Sequence, residues 1–306
     1  MNILDESLRY INKVIDTTDF ENAKQPLIIG ISGPQGSGKS YLADKLHASL
    51  QQQQQHKLNV IKFLIDDLYL SYEKQLEITA LAEKTDNKLL KGRGLPGTHD
   101  IPLLTQIFHD LIARKPRVLI PQYDKSCYDG KGDRLPQDKW LVIDRPVDIV
   151  LFEGWFLGYQ PLNDDLIRLN YLRAGPFSII QGNKMYEIEK VNEDLKQYQS
   201  IWDFFTKFII IQTDDINNVY KWRTEQEHEL IKKQGQGMSD AKVKEFVNRY
   251  MPCYYLYYEH ACAHGCVKDT DGNLRIVIDE NRKMVSHQVF GECSSSSLDL
   301  NEYSLI

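Results

Sequence analysis

The feature that most constrains this chain is a glycine-rich segment that directly follows the apolar run LIIGIS. It satisfies the pattern G-x-x-x-x-G-K-[ST] and consists of Gly33, Pro34, Gln35, Gly36, Ser37, Gly38, Lys39 and Ser40. The glycines let backbone N–H groups surround an anion, and a following helix adds partial positive charge at its N-terminus. Lys39 would reach the outer phosphates and the Ser40 hydroxyl could ligate Mg²⁺. The segment therefore predicts a binding site for a nucleoside triphosphate.

Four nearly continuous apolar runs predict strands that are covered on both faces. They are Leu27–Ser32, Leu58–Ile65, Val147–Phe152 and Phe208–Gln212. Helical patterns separate the runs, for example Leu42, Leu46 and Leu50 at intervals of four residues. This alternation predicts an α/β fold with a mostly parallel sheet flanked by helices on both faces.

Several segments lie outside that alternation. Residues 1–26 predict an N-terminal helix, with apolar positions at helical spacing over 3–15, and a lead-in to the first strand. Residues 161–205 predict a helical insertion over one edge of the site, including a helix in NEDLKQYQSIWDFF. An aromatic-rich helix past Tyr250 and a strand at Leu274–Ile278 follow. We expect residues 27–290 to form one domain and residues 291–306 to be a flexible tail.

Composition limits the classes of partner. The chain has 306 residues, and 37 Lys and Arg against 43 Asp and Glu give a net charge of −6. This composition lacks the excess of Lys and Arg that is typical of proteins that bind nucleic acid or an anionic membrane. Five cysteines at irregular positions indicate a reducing compartment. The first 25 residues contain no apolar block of signal-peptide length, so we expect a cytoplasmic protein without nucleic-acid or membrane partners. The oligomeric state is not readable from the sequence.

Carboxylates follow two of the predicted strands. Asp66 and Asp67 follow the second, and Glu153 follows the third, whereas Asp148 lies at the opposite end of that strand. Ligands of open α/β sheets bind at the carboxyl ends of the strands. Glu153 is therefore predicted to hold magnesium or a water molecule. One aspartate of the pair is predicted to accept a proton from a substrate hydroxyl, the alternative being that these residues only cap a turn.

Two polar loops supply candidate substrate-binding residues. The loop GRGLPGTHD contains Arg93 and His99, and its Asp100 is equally well placed to cap the next helix. The loop PQYDKS contains Tyr123 and Lys125, although a solvated turn explains that loop nearly as well. The segment HACAHGC matches no common zinc spacing, and the nearby tyrosine stripe is typical of helix packing.

The sequence argues against two other functional classes. A GTPase switch needs the motif N-K-x-D, and the Asn-Lys pairs at residues 87–90 and 183–186 both lack the aspartate. A nucleotide-binding scaffold without an acceptor substrate is the other alternative. The presence of Asp66, Lys39 and Glu153 argues against it.

Taken together, these motifs resemble the P-loop kinases that include phosphoribulokinase, uridine kinase and bacterial pantothenate kinase. The resemblance is greatest to the glycerate 3-kinase branch, known from plants and from a fungal ATP-dependent kinase. The segments that carry it are GPQGSGKS, GRGLPGTHD, PQYDKS, LFEGWFLG, VNEDLKQY and VYKWRTEQEHELIKKQGQGMSDAKVKEFVNRYMPCY.

The resemblance implies an ATP- and Mg²⁺-dependent kinase that phosphorylates a hydroxyl of a small metabolite, with D-glycerate as the suggested substrate. A nucleoside-like or pantothenate-like acceptor is the alternative. The resemblance also implies that Asp66 is the base and that Glu153 serves the magnesium ion. Residues 220–250 would form a lid, and Arg223 would approach the phosphates as a catalytic residue together with Lys39.

Overall fold

The computed structural model describes residues 2–52, 58–176 and 178–291. The strands in these ranges are β1 (Leu27–Ser32), β2 (Val60–Leu64), β3 (Val118–Ile120), β4 (Tyr123–Asp124), β5 (Asp133–Arg134), β6 (Leu141–Ile143), β7 (Ile149–Gly154), β8 (Lys207–Thr213), β9 (Asn273–Ile278) and β10 (Met284–Phe290). The predicted tail, apart from its first residue, lies outside the described residues, as does most of the glutamine run at 51–55.

The α-helices surround these strands. They are α1 (Ile3–Ile15), α2 (Lys39–Gln51), α3 (Tyr72–Lys84), α4 (Ile101–Ile112), α5 (Asp164–Arg173), α6 (Met185–Lys196), α7 (Gln199–Trp202), α8 (Asn218–Gln234), α9 (Asp240–Asn248), α10 (Met251–Cys253) and α11 (Glu259–His264). One π-helical turn, Tyr254–Tyr258, joins α10 to α11. No helix in the described ranges has both the length and the apolar character needed to cross a bilayer.

A six-stranded sheet has the spatial order β10-β9-β8-β1-β7-β2. All neighbouring pairs are parallel except β10 and β9, which are antiparallel. The strands β3 and β6, and β4 and β5, form two small antiparallel pairs apart from this sheet. The predicted fold class is therefore confirmed: a mostly parallel α/β sheet with helices on both faces.

Both faces of the sheet are packed because successive strand residues point to opposite sides. Ile29 and Ile31 of β1 join a buried cluster with residues of α1 and α2, whereas Ile28 joins a second, larger cluster on the other face. The larger cluster includes apolar residues of α4, α6 and α9. This two-sided burial explains why the strands appear in the sequence as continuous apolar runs.

The four strand predictions and the helix at residues 3–15 are confirmed, with shifted bounds for three strands. The third strand extends past Phe152 and includes Glu153, which pairs with Ile31 on one side and Leu64 on the other. The strand β10 was not predicted, because its residues are mostly exposed and form no apolar run.

The segment NEDLKQYQSIWDFF is helical, as predicted, but it is divided between two helices. Helix α6 ends at Lys196 and α7 begins at Gln199, with Tyr198 at the break. The Tyr198 hydroxyl accepts a hydrogen bond from the Gly97 N–H at 3.0 Å. This contact joins segments about one hundred residues apart, so helical spacing alone cannot encode it.

The larger cluster should respond strongly to truncation of Phe108. This fully buried ring of α4 packs against Phe63, Phe152 and Phe204. We expect Phe108→Ala to lower the free energy of unfolding by about 3 to 5 kcal/mol, because it leaves a cavity in a closely packed interior. Urea unfolding measures the loss, and Leu172→Ala, at a side chain that is 70% exposed, is the control. Equal small effects of both changes would contradict the assignment of Phe108 to the core.

Candidate active site

The glycine-rich segment forms a phosphate-binding loop, Gly33–Ser40, between β1 and α2. Gly36 and Gly38 adopt φ angles of 84° and 92°, which residues other than glycine rarely adopt. The Ser37 N–H donates to the Pro34 carbonyl at 3.1 Å and therefore points into the loop. The helix α2 begins at Lys39 with Gly38 as its N-cap. The sequence context required for a phosphate-binding loop is thus present.

Glu153 lies beside this loop because the parallel register fixes its position. Its Cα pairs with Ile31, the residue before the last of β1, and with Leu64, the last residue of β2. The side chain is 1% exposed, and neither carboxylate oxygen accepts a hydrogen bond from any residue in the described ranges. A buried carboxylate of this kind requires a partner. An oxygen ligand set of Glu153 and the Ser40 hydroxyl fits a magnesium ion.

Asp66 lies just past the end of β2 and forms an ion pair with Lys125, whose Nζ is 2.6 Å from Oδ2. The Tyr69 hydroxyl donates a second hydrogen bond to the same carboxylate. Burial alone would raise the pKa of Asp66, but the Lys125 charge and these hydrogen bonds lower it below its ordinary value. The Asp66 carboxylate is therefore ionised at neutral pH. Lys125 belongs to the loop between β4 and β5, which holds it against the end of the large sheet.

Asp67 has a different environment from its neighbour. Its Oδ2 accepts a hydrogen bond from the Leu64 N–H at 3.0 Å. Burial, reinforced by the Asp66 charge, raises the pKa of Asp67 to about 6. The turn-capping alternative therefore describes Asp67, and Asp66 is the member of the pair with a cation beside it.

Lys39 and Arg223 add positive charge next to these carboxylates. Burial lowers the pKa of Lys39, and the charges of Glu153 and Asp66 oppose that shift. Arg223, in the first half of α8, is close enough to Lys39 for the two charges to interact. Its NH1 donates to Gln226 at 2.6 Å, and its buried Nε has no hydrogen-bond partner among the described residues. Both predicted catalytic cations are thus grouped with Asp66 and Glu153.

His99 is buried beside Asp66, with its ring stacked on Tyr69 at a centroid distance of 4.6 Å. Its Nδ1 is 2.8 Å from the Tyr198 hydroxyl. Burial lowers the pKa of His99 to about 3, so the ring is neutral. Because the Tyr198 oxygen already accepts the Gly97 N–H, donating its own proton to Nδ1 satisfies both groups. That arrangement leaves Nε2 of His99 as a buried N–H without a partner in the described part of the chain.

Arg93 and Tyr123 border the same region. The Arg93 guanidinium lies 5.9 Å and 5.6 Å from the ring centroids of Tyr69 and Tyr123. Its NH1 donates to the carbonyls of Gly130 and Lys131 instead of pairing with a carboxylate. Arg93 therefore ties its loop to the loop between β4 and β5 that carries Lys125.

Three further residues position these loops, and of their contacts only the helix cap of Asp100 was predicted from the sequence. Arg249, at the end of α9, donates to the carbonyls of Leu89 at 2.8 Å and Arg93 at 3.0 Å. Tyr254 accepts a hydrogen bond from the Gln35 N–H at 3.0 Å, so the tyrosine stripe does more than pack. Asp100 caps α4 through the Leu103 N–H, as the capping alternative predicted, and also pairs with Arg134.

Buried polar atoms without hydrogen-bond partners are grouped around this site. In the described ranges they include Ser32 Oγ, Gln35 Oε1, Ser37 Oγ, His99 Nε2, both Glu153 oxygens and Arg223 Nε. Such groups cost free energy unless a ligand or water satisfies them. The described residues contain no cluster of three or more His, Cys, Asp or Glu side chains that could hold a metal ion.

Comparisons with known proteins agree with this geometry. The model of the KAP family P-loop domain matches residues 8–226, so the chain belongs to that P-loop family. A Saccharomyces cerevisiae protein, "Probable ATP-dependent kinase TDA10", is 36% identical over 93% of this chain and 95% of its own length. The chloroplastic D-glycerate 3-kinase of Arabidopsis thaliana is 33% identical over 85% of this chain and 54% of its own length. The chain belongs to the glycerate 3-kinase family of P-loop kinases.

A solved structure also supports the assignment of this chain to the glycerate 3-kinase family. The D-glycerate 3-kinase of Cryptococcus neoformans matches with a TM-score of 0.82 and 32% identity, over 95% of this chain and all of that one. The fold and family predicted from the sequence motifs are therefore confirmed.

The raised pKa of Asp67 predicts a pH-dependent stability difference. The folded state binds this proton up to about pH 6, whereas an unfolded aspartate releases it near its ordinary pKa of about 4. Wild type should therefore lose stability relative to Asp67→Asn as the pH rises from 4 to 7, by up to about 3 kcal/mol. Urea unfolding at both pH values measures this difference. A constant difference between the two proteins would contradict the assignment.

Proposed function

We propose that this chain transfers the γ-phosphoryl group of ATP to a hydroxyl group of D-glycerate or a closely related small hydroxy acid. The observation that carries the proposal is the Asp66–Lys125 pair beside the phosphate-binding loop. An ionised carboxylate can accept the proton of an acceptor hydroxyl, and an adjacent ammonium group can bind the carboxylate of the same acceptor. The family assignment supports the choice of substrate.

In the proposed mechanism, ATP places its phosphates on Gly33–Ser40, with Lys39 and Arg223 neutralising negative charge on the transferred group. The acceptor oxygen forms a bond to the γ-phosphorus while the bond from that phosphorus to the β-phosphate oxygen breaks, and ADP leaves. Asp66 takes the hydroxyl proton. Its lowered pKa keeps it in the ionised form that this role requires.

Residues 33–40, Asp66 and Glu153 would act together with a magnesium ion. Glu153 and Ser40 are the residues proposed to hold it, and the ion would supply charge neutralisation on the phosphates. The two unpartnered oxygens of Glu153 support this assignment.

The acceptor is proposed to lie among Arg93, His99, Tyr123 and Lys125. The unpartnered Nε2–H of His99 supports a hydrogen bond to an oxygen of the acceptor. The helices α8 and α9, which contain most of residues 220–250, are proposed to act as a lid that excludes water and suppresses hydrolysis of ATP. We propose that the reaction takes place in the cytoplasm, with no nucleic acid as a partner.

An acceptor panel tests the proposed function. Purified protein is incubated with Mg·ATP and D-glycerate, uridine, pantothenate or a pentose phosphate, and ADP release is measured. We expect D-glycerate to give the greatest increase over the rate without acceptor. Turnover with uridine or pantothenate alone would assign a different acceptor, and no turnover with any of them would support the scaffold alternative.

Asp66→Asn tests the assignment of the base. We expect a loss of about 10²- to 10⁴-fold in kcat with little change in ATP affinity, because the amide cannot accept the proton. Steady-state kinetics and calorimetry with Mg·ATP measure the two quantities. Asp67→Asn is the matched comparison and should retain most of the activity. The reverse result would transfer the role of base to Asp67.

Lys125→Met tests the second half of the pair. Loss of the ammonium group should raise the KM for glycerate by about tenfold or more, because a charged hydrogen bond to the carboxylate is lost. It should also raise the pKa of Asp66 and move the acidic limb of the kcat/KM profile to higher pH. Lys139→Met, at a side chain that is 67% exposed, is the control. An unchanged KM and pH profile would remove Lys125 from the site.

A further inference from the structure

The turn between β9 and β10 contacts the phosphate-binding loop through Arg282. The Nε of Arg282 donates to the Gly36 carbonyl at 2.7 Å. Its NH2 lies 2.9 Å from Oε2 of Glu225 on α8. The guanidinium also lies 5.3 Å from the ring centroid of Trp222, one helical turn earlier on α8. One side chain thus joins the C-terminal hairpin, the proposed lid helix and the loop.

Trp222 packs directly against the same point of the loop. A Cβ atom added at Gly36 would lie 2.5 Å from the Trp222 Cβ, so only glycine fits there. The Trp222 side chain is fully buried, and its Nε1 donates to the Glu280 carbonyl at 2.7 Å. Residues Glu280 and Arg282 therefore fix both the ring and the loop from a single turn.

The backbone of this turn holds Arg282 in a sparsely populated conformation. Its φ angle is 61°, which is uncommon for a residue other than glycine. The turn is closed by hydrogen bonds from the Arg282 N–H to the Asp279 carbonyl and from the Lys283 N–H to Asp279 Oδ1. Glycine would adopt this conformation at lower cost, and the contacts of the Arg282 side chain offset the difference.

The contact with Gly36 controls the direction of a peptide group. The Gly36 carbonyl and the Ser37 N–H belong to the same planar trans peptide and point in opposite directions. Arg282 holds the carbonyl toward the turn between β9 and β10, and the Ser37 N–H on the other side of the peptide donates to the Pro34 carbonyl within the loop. Anion binding by such a loop requires its N–H groups to face inward. A rotated peptide would present a carbonyl oxygen to the phosphates.

We propose that Arg282 is a positioning residue for the nucleotide, which holds the Gly36–Ser37 peptide in the orientation that binds phosphate. Because Glu225 pairs with its charge, Arg282 acts through the geometry of its donors and not as a free cation near the phosphates. The inference depends on nucleotide binding at Gly33–Ser40 and is independent of the acceptor.

Calorimetry with Mg·ATP on the full chain tests the proposal. We expect Arg282→Met to weaken ATP binding by about 10- to 100-fold, the range for loss of a charged hydrogen bond that orients a binding group. Arg282→Lys should fall between wild type and Arg282→Met, because an ammonium group cannot supply the planar, forked donors. Lys283→Met, in the same turn, should stay within about twofold of wild type.

A purely structural role would lower every activity together, so the acceptor provides a second measurement. In the Arg282 variants the KM for ATP should rise while the KM for the acceptor stays within about twofold of wild type. Unchanged ATP affinity in a folded Arg282→Met protein overturns the proposal, as does an equal loss of affinity for ATP and acceptor.

Glu225→Gln covers the case in which Arg282→Met does not fold. It removes the negative charge that pairs with the guanidinium and so loosens its position, which should weaken ATP binding by about threefold, whereas unchanged binding would count against the proposal. The calorimetric arm requires no turnover. A chain that binds ATP normally but phosphorylates no acceptor would contradict the proposed function and leave the role of Arg282 testable.

Discussion

The site depends on the parallel register of three neighbouring strands. Pairing of Glu153 with Ile31 and Leu64 places the ends of β1, β7 and β2 side by side. Strand register alone therefore brings three groups to the same edge of the sheet: the phosphate-binding loop, the carboxylate of Glu153 and the pair Asp66–Asp67. A shift of one residue in β7 would turn Glu153 to the opposite face of the sheet and remove it from this group.

The same region contains buried charged and polar groups that destabilise the folded state, and packing elsewhere in the fold offsets this. Asp66 and Glu153 lie close enough to Lys39 for their charges to act on its pKa. Several polar atoms around these three residues have no hydrogen-bond partner in the described ranges. Such a cluster is stable because two apolar layers, one on each face of the sheet, hold the strands in place. Sites prepared for charged ligands are expected to be unsatisfied in this way.

Local sequence predicted the parts of the structure that depend on short segments. The strands, the loop Gly33–Ser40 and the strand-end position of Asp66 follow from patterns of a few residues. Contacts between distant segments did not. The break at Tyr198 exists where its hydroxyl meets Gly97 and His99, and Arg282 reaches Gly36 across 246 residues. No periodicity within either segment encodes these contacts, and the exposed strand β10 lacked the apolar run that identified the others.

The two halves of the site are built from different parts of the chain. In the proposed arrangement, the loop after β1, Glu153 and α8 form the half that binds the phosphates, whereas the residues around His99 come from the loops near Arg93 and Lys125 and from Tyr198 between α6 and α7. This division has an evolutionary consequence. Under the proposed arrangement, substitutions in the insertion and the polar loops would change which metabolite is accepted while the residues that bind the phosphate donor are preserved, so new acceptor specificities could arise without changes in the sheet.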